Sequence, residues 1–190
     1  MTQPDWFASL RSRHWVLGLS VLGALLLQGA VFPHLTVFGT KPDLMMIVVA
    51  CWALLYGPQE GFLAGLGAGL VQDVVFGQYV GLFALAKCLA GFGLGVAGGK
   101  IFRESVWVST GAAGVGILVH EVIVWACLRG LGLPAPGLAL VTTALPGALY
   151  SMILTPLVFR RFLVYRLAEW AREKEMSAAG PGSSPGAARR

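Results

Sequence analysis

Charge is what this chain has least of. Charged residues make up 12% of its 190 positions and hydrophobic residues 56%, with a mean hydropathy of +0.74. Soluble domains carry about 25% charged residues. A chain with half that charge cannot give a globule a wetted surface, so an ordinary soluble domain is excluded and an integral membrane protein is expected. Cysteines are few: Cys51, Cys88 and Cys127 fall in three separate apolar runs with no paired spacing. They read as small core residues rather than disulfides or ligands. Catalytic motifs are lacking too. His120-Glu121 begins like a zinc-protease helix, but Val124 stands where the second histidine is needed. His14 and His34 are expected on opposite faces of the membrane. The sequence has no Walker A loop, no GxSxG and no acidic metal cluster. "GFGLGVAGG", Gly91 to Gly99, lies in an apolar run without the strand that a dinucleotide loop follows. The expectation is therefore no catalytic residue, no cofactor and no metal. Long loops are missing as well, so the work is expected within the membrane or at its faces.

What the chain does have is apolar runs bounded by charge, proline or turn residues, at roughly 15–32, 44–56, 60–75, 79–98, 106–128 and 138–159. They predict an all-α fold, a six-helix transmembrane bundle. A bilayer core takes about 20 helical residues, and the second and third runs are shorter than that. Two readings follow: six full crossings, or four crossings with a short re-entrant pair. Lysine and arginine set the orientation. With the N-terminus inside, eleven of the fourteen basic residues are cytoplasmic: Arg11, Arg13, Lys100, Arg103, Arg160, Arg161, Arg166, Arg172, Lys174, Arg189 and Arg190. Only Lys41 and Arg129 are outside, and Lys87 lies within the fourth run. An even number of crossings keeps both termini cytoplasmic, whereas an odd number would split the basic clusters. The first run is too long for a signal-peptide core, and "LQGAVFP" offers no clean cleavage site, so it reads as a retained helix. The net charge of +5 sits on the inner flanks, where it suits the anionic leaflet and calls for no nucleic acid.

The expected organisation is an interfacial N-terminus (1–14), a six-helix membrane domain (15–159), a basic amphipathic cytoplasmic helix (160–176) and a disordered Gly/Pro/Ser/Ala tail (177–190). In the N-terminal piece Trp6, Phe7 and Leu10 stand against Arg11 and Arg13. The basic helix has Phe159, Phe162, Leu163, Leu167 and Trp170 as its apolar side, and either prolongs the last span or bends along the interface.

Glycine recurs every fourth residue at Gly57, Gly61, Gly65 and Gly69, and Asp73 stands on the next step. In water each interior glycine costs a helix about 1 kcal/mol relative to alanine. In lipid, helices associate through close backbone approach, which small residues permit. The stripe is therefore a flat seam, repeated in the fourth run at Gly91, Gly95 and Gly99 and more loosely in the fifth at Ser109, Ala113 and Ile117. Its neighbour is either another helix of this chain or a partner's helix. Asp73 falls near the C-terminal end of its helix, where the dipole and nearby hydrocarbon both disfavour an anion. Backbone donors from the following turn, water or a cation should offset this. It either caps the loop to the fourth span or joins a polar cluster with Asp43, Lys87 and Glu121. Lys87 and Glu121 both fall roughly 10–12 Å below the outer boundary at about 1.5 Å per residue. Charges at that depth face inward and pair, so a Lys87–Glu121 ion pair or a shared polar pocket is expected. It fixes helix register, forms a ligand or proton site, or lets Lys87 snorkel outward.

The stretch from Lys41 to Gly95 resembles the MreD family of bacterial rod shape-determining membrane proteins. Pro42-Asp43 before the second run, the Gly57-Pro58 loop, the glycines leading to Gln72-Asp73, and Gly77 and Gly81 before Ala84-Leu85 match the family pattern in order and spacing. Size, helix count and a short basic tail agree elsewhere. Lys87 and the Gly/Pro-rich tail are not part of the pattern, so no family role carries over to them. The resemblance implies a multi-pass protein of the bacterial cytoplasmic membrane in the peptidoglycan elongation machinery. It implies MreC as direct partner, with RodA, a class B penicillin-binding transpeptidase and the actin-like MreB in the wider complex. It also implies a fold similar to the S-components of energy-coupling-factor vitamin transporters, and a glycine stripe that receives a helix such as that of MreC. The leading expectation is a non-enzymatic scaffold. The alternative is an S-component-like carrier of a small molecule, which short outer loops argue against. A proton-coupled channel has too few intramembrane carboxylates.

Overall fold

The computed structural model describes residues 5–31, 34–36, 39–76, 79–101 and 106–179. Gly77, Arg103, Arg189 and Arg190, and with them most of the expected disordered tail, lie outside these. The elements are α1 (Asp5–Ala30), α2 (Leu44–Tyr56), α3 (Pro58–Phe76), α4 (Leu82–Ile101), α5 (Val106–Gly130), the short α6 (Gly137–Ala139), a π-helical turn (Leu140–Ala144) and α7 (Leu145–Ala179). The six apolar runs thus become six long helices. Two of the expected segments are continuous with neighbouring helices, and for the basic segment this is one of its two expected readings. No glycine or proline interrupts the chain between Asp5 and Leu17, so the N-terminal piece from Asp5 onward is continuous with the rest of α1. The basic segment 160–176 likewise prolongs the last run within α7, a single helix of 35 residues.

Between α2 and α3 the chain turns at one residue. Gly57 has φ of +96°, a conformation that favours glycine, and Pro58 opens α3 with its fixed φ. The result is a tight helical hairpin, and α4 packs along both arms. α2 is the centre of the molecule: every residue from Leu44 to Leu54 is at most 9% exposed. It touches α1, α3, α4, α5 and α7. A helix of 13 residues spans about 20 Å, less than a hydrocarbon core of about 30 Å. α2 is covered by other helices, so it need not match the bilayer by itself.

The outward face is apolar. Leu19 and Leu26 on α1, Val74 on α3, Leu89 on α4, Val115 on α5 and Ile153 and Leu157 on α7 are exposed. Soluble monomers rarely show apolar patches of this extent. By length and composition, Val106–Gly130 and Val141–Glu175 are long and apolar enough to cross a membrane.

Candidate functional site

The glycines of α3 meet α4 backbone to backbone. A Cβ on Gly61 would collide with the carbonyl oxygen of Gly91, one on Gly65 with the carbonyl of Lys87, and one on Gly69 with the backbone of Ala84. From the other side, a Cβ on Gly91 would strike the Gly61 carbonyl and one on Gly95 would strike Pro58. The stripe is an internal seam, sealed by α4. It starts at Gly61. A Cβ on Gly57 would meet nothing within 4 Å, so that glycine serves the turn rather than the seam.

Asp73 ends the seam, and its offset is visible. The carboxylate accepts hydrogen bonds from the backbone N–H groups of Gly81 (2.9 Å), Phe83 (3.1 Å) and Ala84 (3.0 Å). These are donors at the start of α4 that have no partner within their own helix. The positive end of the α4 dipole outweighs the unfavourable position at the end of α3. Asp73 is therefore a cap for the loop to α4.

The buried polar nest lies elsewhere, where α2, α4, α5 and α7 converge. Asp43 caps α2 by accepting from the Met46 N–H at 2.9 Å. Its own N–H donates to Ser151 Oγ on α7 at 3.0 Å, and Ser151 Oγ donates to the Gly147 carbonyl at 2.8 Å. Lys87, fully buried on α4, places its ammonium on Asp43 Oδ2. The same ammonium lies 3.4 Å from His120 Nε2 on α5. Lysine offers only protons, so Nε2 acts as the acceptor and Nδ1 carries the ring proton. His120 Nδ1 is buried without a hydrogen-bond partner and faces Glu121 Oε1 at 3.7 Å, too long for a hydrogen bond.

The partner of Lys87 is thus Asp43, not Glu121. The reason is helical phase. Steps of four residues drift about 40° each, because four residues turn 400°. Depth along the helix axis, which points to Glu121, does not fix which face a residue takes. The buried face of α5 instead follows Ser109, Ala113, Ile117, His120 and Val124, at the true period. Glu121 therefore stands on the flank, its side chain 33% exposed. His120 and Ser151 are the nest residues that the sequence did not reveal. The 3.6 period on α5 carries the signal for His120; nothing local marks Ser151.

Beside the nest lies a cavity of about 320 Å³, lined by Lys41, Asp43, Glu121, Thr143 and Ser151 among others. The π-helical turn forms part of its wall, a feature often found at functional sites. Two apolar grooves of similar size are present, one between α1 and α3 and one between α4 and α5.

At the opposite end of α2 a second polar group forms a clasp. Arg13 pairs with Glu60 at 2.9 Å, and Trp52 Nε1 donates to the other oxygen of Glu60 at 3.4 Å. The Tyr56 hydroxyl donates to Glu169 at 3.0 Å, and Arg166 lies 3.3 Å from the same oxygen. Tyr56 stacks on Trp52 and has Arg13 and Arg166 near its ring. The clasp fastens α1, α3 and α7 to α2.

A model of the family described as rod shape-determining protein MreD matches residues 10–167. No curated protein and no solved structure matches the chain.

Proposed function

Because the chain belongs to the MreD family of rod shape-determining membrane proteins, we propose that it is a non-enzymatic scaffold of the peptidoglycan elongation complex. In this reading it crosses the bacterial cytoplasmic membrane six times, with both termini in the cytoplasm. It holds the membrane helix of an MreC-like protein, and through it meets RodA, a class B penicillin-binding protein and, indirectly, MreB. The match across residues 10–167 is the observation that carries the proposal.

Two features of the molecule support it. α7, at about 1.5 Å per residue, is about 50 Å long, well beyond a hydrocarbon core of about 30 Å. Its basic end, from Arg160 onward, suits a cytoplasmic position. The second feature is a free surface for a helix. The seam of Gly61, Gly65 and Gly69 is occupied by α4 and cannot receive a partner. The groove between α1 and α3 is open and apolar, lined by Leu17, Gly18, Val21, Leu63, Gly67 and Val71. A Cβ on Gly18 or Gly67 would meet nothing within 4 Å, so another backbone can come close there. We assign this groove to the MreC-like helix.

Co-purification from membranes tests the assignment. The unmodified chain should retain an MreC-like partner, and Gly67→Leu should fold normally yet lose it. Retention of the partner by a folded Gly67→Leu variant would remove the groove from the interface. An S-component-like carrier is the second reading, favoured by the cavity beside the polar nest. A rise in melting temperature on adding a vitamin would support it over the scaffold.

A further inference from the structure

The nest is not neutral. Asp43 carries one negative charge and Lys87 one positive, and they cancel. His120, accepting through Nε2, is uncharged. Glu121 remains. Among the described residues no lysine or arginine lies within 4 Å of its carboxylate, whose neighbour is that uncharged imidazole. A carboxylate of this kind, lining a cavity in a membrane bundle, calls for a positive charge. Beside it the buried Nδ1–H of His120 is aimed at the same carboxylate and is likewise unsatisfied. On the same cavity stands the exposed Lys41, with no carboxylate within 4 Å among the described residues. The cavity therefore presents a carboxylate without a cation and a solvent-exposed ammonium without a carboxylate.

We propose that this cavity binds a small zwitterion, its primary ammonium on Glu121 and its anionic group on Lys41. A volume of about 320 Å³ falls at the lower end of the usual range for small-molecule sites, about 300–1,000 Å³. Thr143 from the π-helical turn and Ser151 from α7 also line the cavity. A primary ammonium has three N–H donors and can bring one close to a carboxylate. A quaternary ammonium has none, and its methyl groups hold the charge away. The site should therefore separate the two. His120 has a positioning role: its Nδ1–H faces the Glu121 carboxylate without bonding it at 3.7 Å, so a small shift of that carboxylate on binding would bring the two into hydrogen-bond reach.

The same chemistry comes from two sources, a free solute or the headgroup of an aminophospholipid. Two arms of one experiment distinguish them, both on the full-length protein. In detergent, O-phosphoethanolamine and phosphocholine are compared by thermal shift. In nanodiscs containing equal phosphatidylethanolamine and phosphatidylcholine, lipids that stay bound on release are counted by native mass spectrometry. Preference for phosphoethanolamine in the first arm assigns a free solute; preference for phosphatidylethanolamine in the second alone assigns a lipid. In either case Glu121→Gln should weaken the preferred ligand by about tenfold or more, since it removes a charge-assisted bond. The flanking position of Glu121 makes loss of fold unexpected. If the variant does unfold, the comparison of primary with quaternary amine on the unmodified protein decides alone. Equal behaviour of the two amines in both arms, or the same preference in a folded Glu121→Gln variant, overturns the proposal.

Discussion

α3 shows glycine to two sides of the molecule, and the two sides differ. Toward α4, Gly61, Gly65 and Gly69 sit where any Cβ would strike backbone; toward the α1 groove, Gly67 has open space. The sealed side ends in Asp73, a carboxylate bound by three N–H groups of the helix it seals against. The lesson is that one residue type can serve two tasks within one helix. In lipid, a glycine facing a packed helix is part of the fold. A glycine facing outward adds nothing to the fold and leaves a place for another helix.

The strongest way to break this contrast is Gly65→Leu. A side chain there must displace the carbonyl of Lys87 and the Cα of Cys88, which are backbone and cannot rotate away. Loss of the folded, monodisperse species is expected on size-exclusion chromatography. A normal elution profile and melting temperature would show that α4 can slide off the seam. Next in size is the charge seated on the far side of that seam. Lys87→Met leaves Asp43 uncompensated and should cost about 3–5 kcal/mol, as for one partner of a buried pair. Lys87→Met combined with Asp43→Asn should recover part of that loss. Additive losses in a double-mutant cycle would mean that the two side chains do not act together.

A smaller effect is expected at the end of the seam. Asp73→Ala removes the acceptor for three N–H groups and should lower stability by about 2 kcal/mol, the upper end for a helix cap. The measurement is chemical or thermal denaturation in a mild detergent. An unchanged midpoint would show that water replaces the carboxylate. The smallest effect on the fold should come from the open side. Gly67→Leu is expected to change stability by no more than about 0.5 kcal/mol, the usual range for a surface site. Its effect should be on partner retention instead. If Gly67→Leu destabilises as much as Gly65→Leu, the two faces of α3 are not different after all.

Much of this molecule is legible in the chain because helices are local. The six apolar runs, the Gly57-Pro58 turn and the period-four glycines depend on residues a few positions apart. The role of Asp73 is nearly local too, since its partners lie 8 to 11 residues away. The clasp and the nest are different. Arg13 and Glu60 are 47 positions apart, Tyr56 and Glu169 are 113, and Asp43 and Ser151 are 108. A depth estimate along one axis correctly put Lys87 among charges that must be paired. It carried no information about azimuth, so Glu121 was as good a candidate as Asp43.

The sequence by itself determined the solvent, the helices and the need for pairing, because composition and period are properties of short stretches. Tertiary structure alone decided which glycines are sealed, which charge neutralises Lys87, and that Glu121 is left facing a cavity. Those outcomes depend on how far each helix is rotated about its own axis. That rotation is set by packing against several neighbours at once.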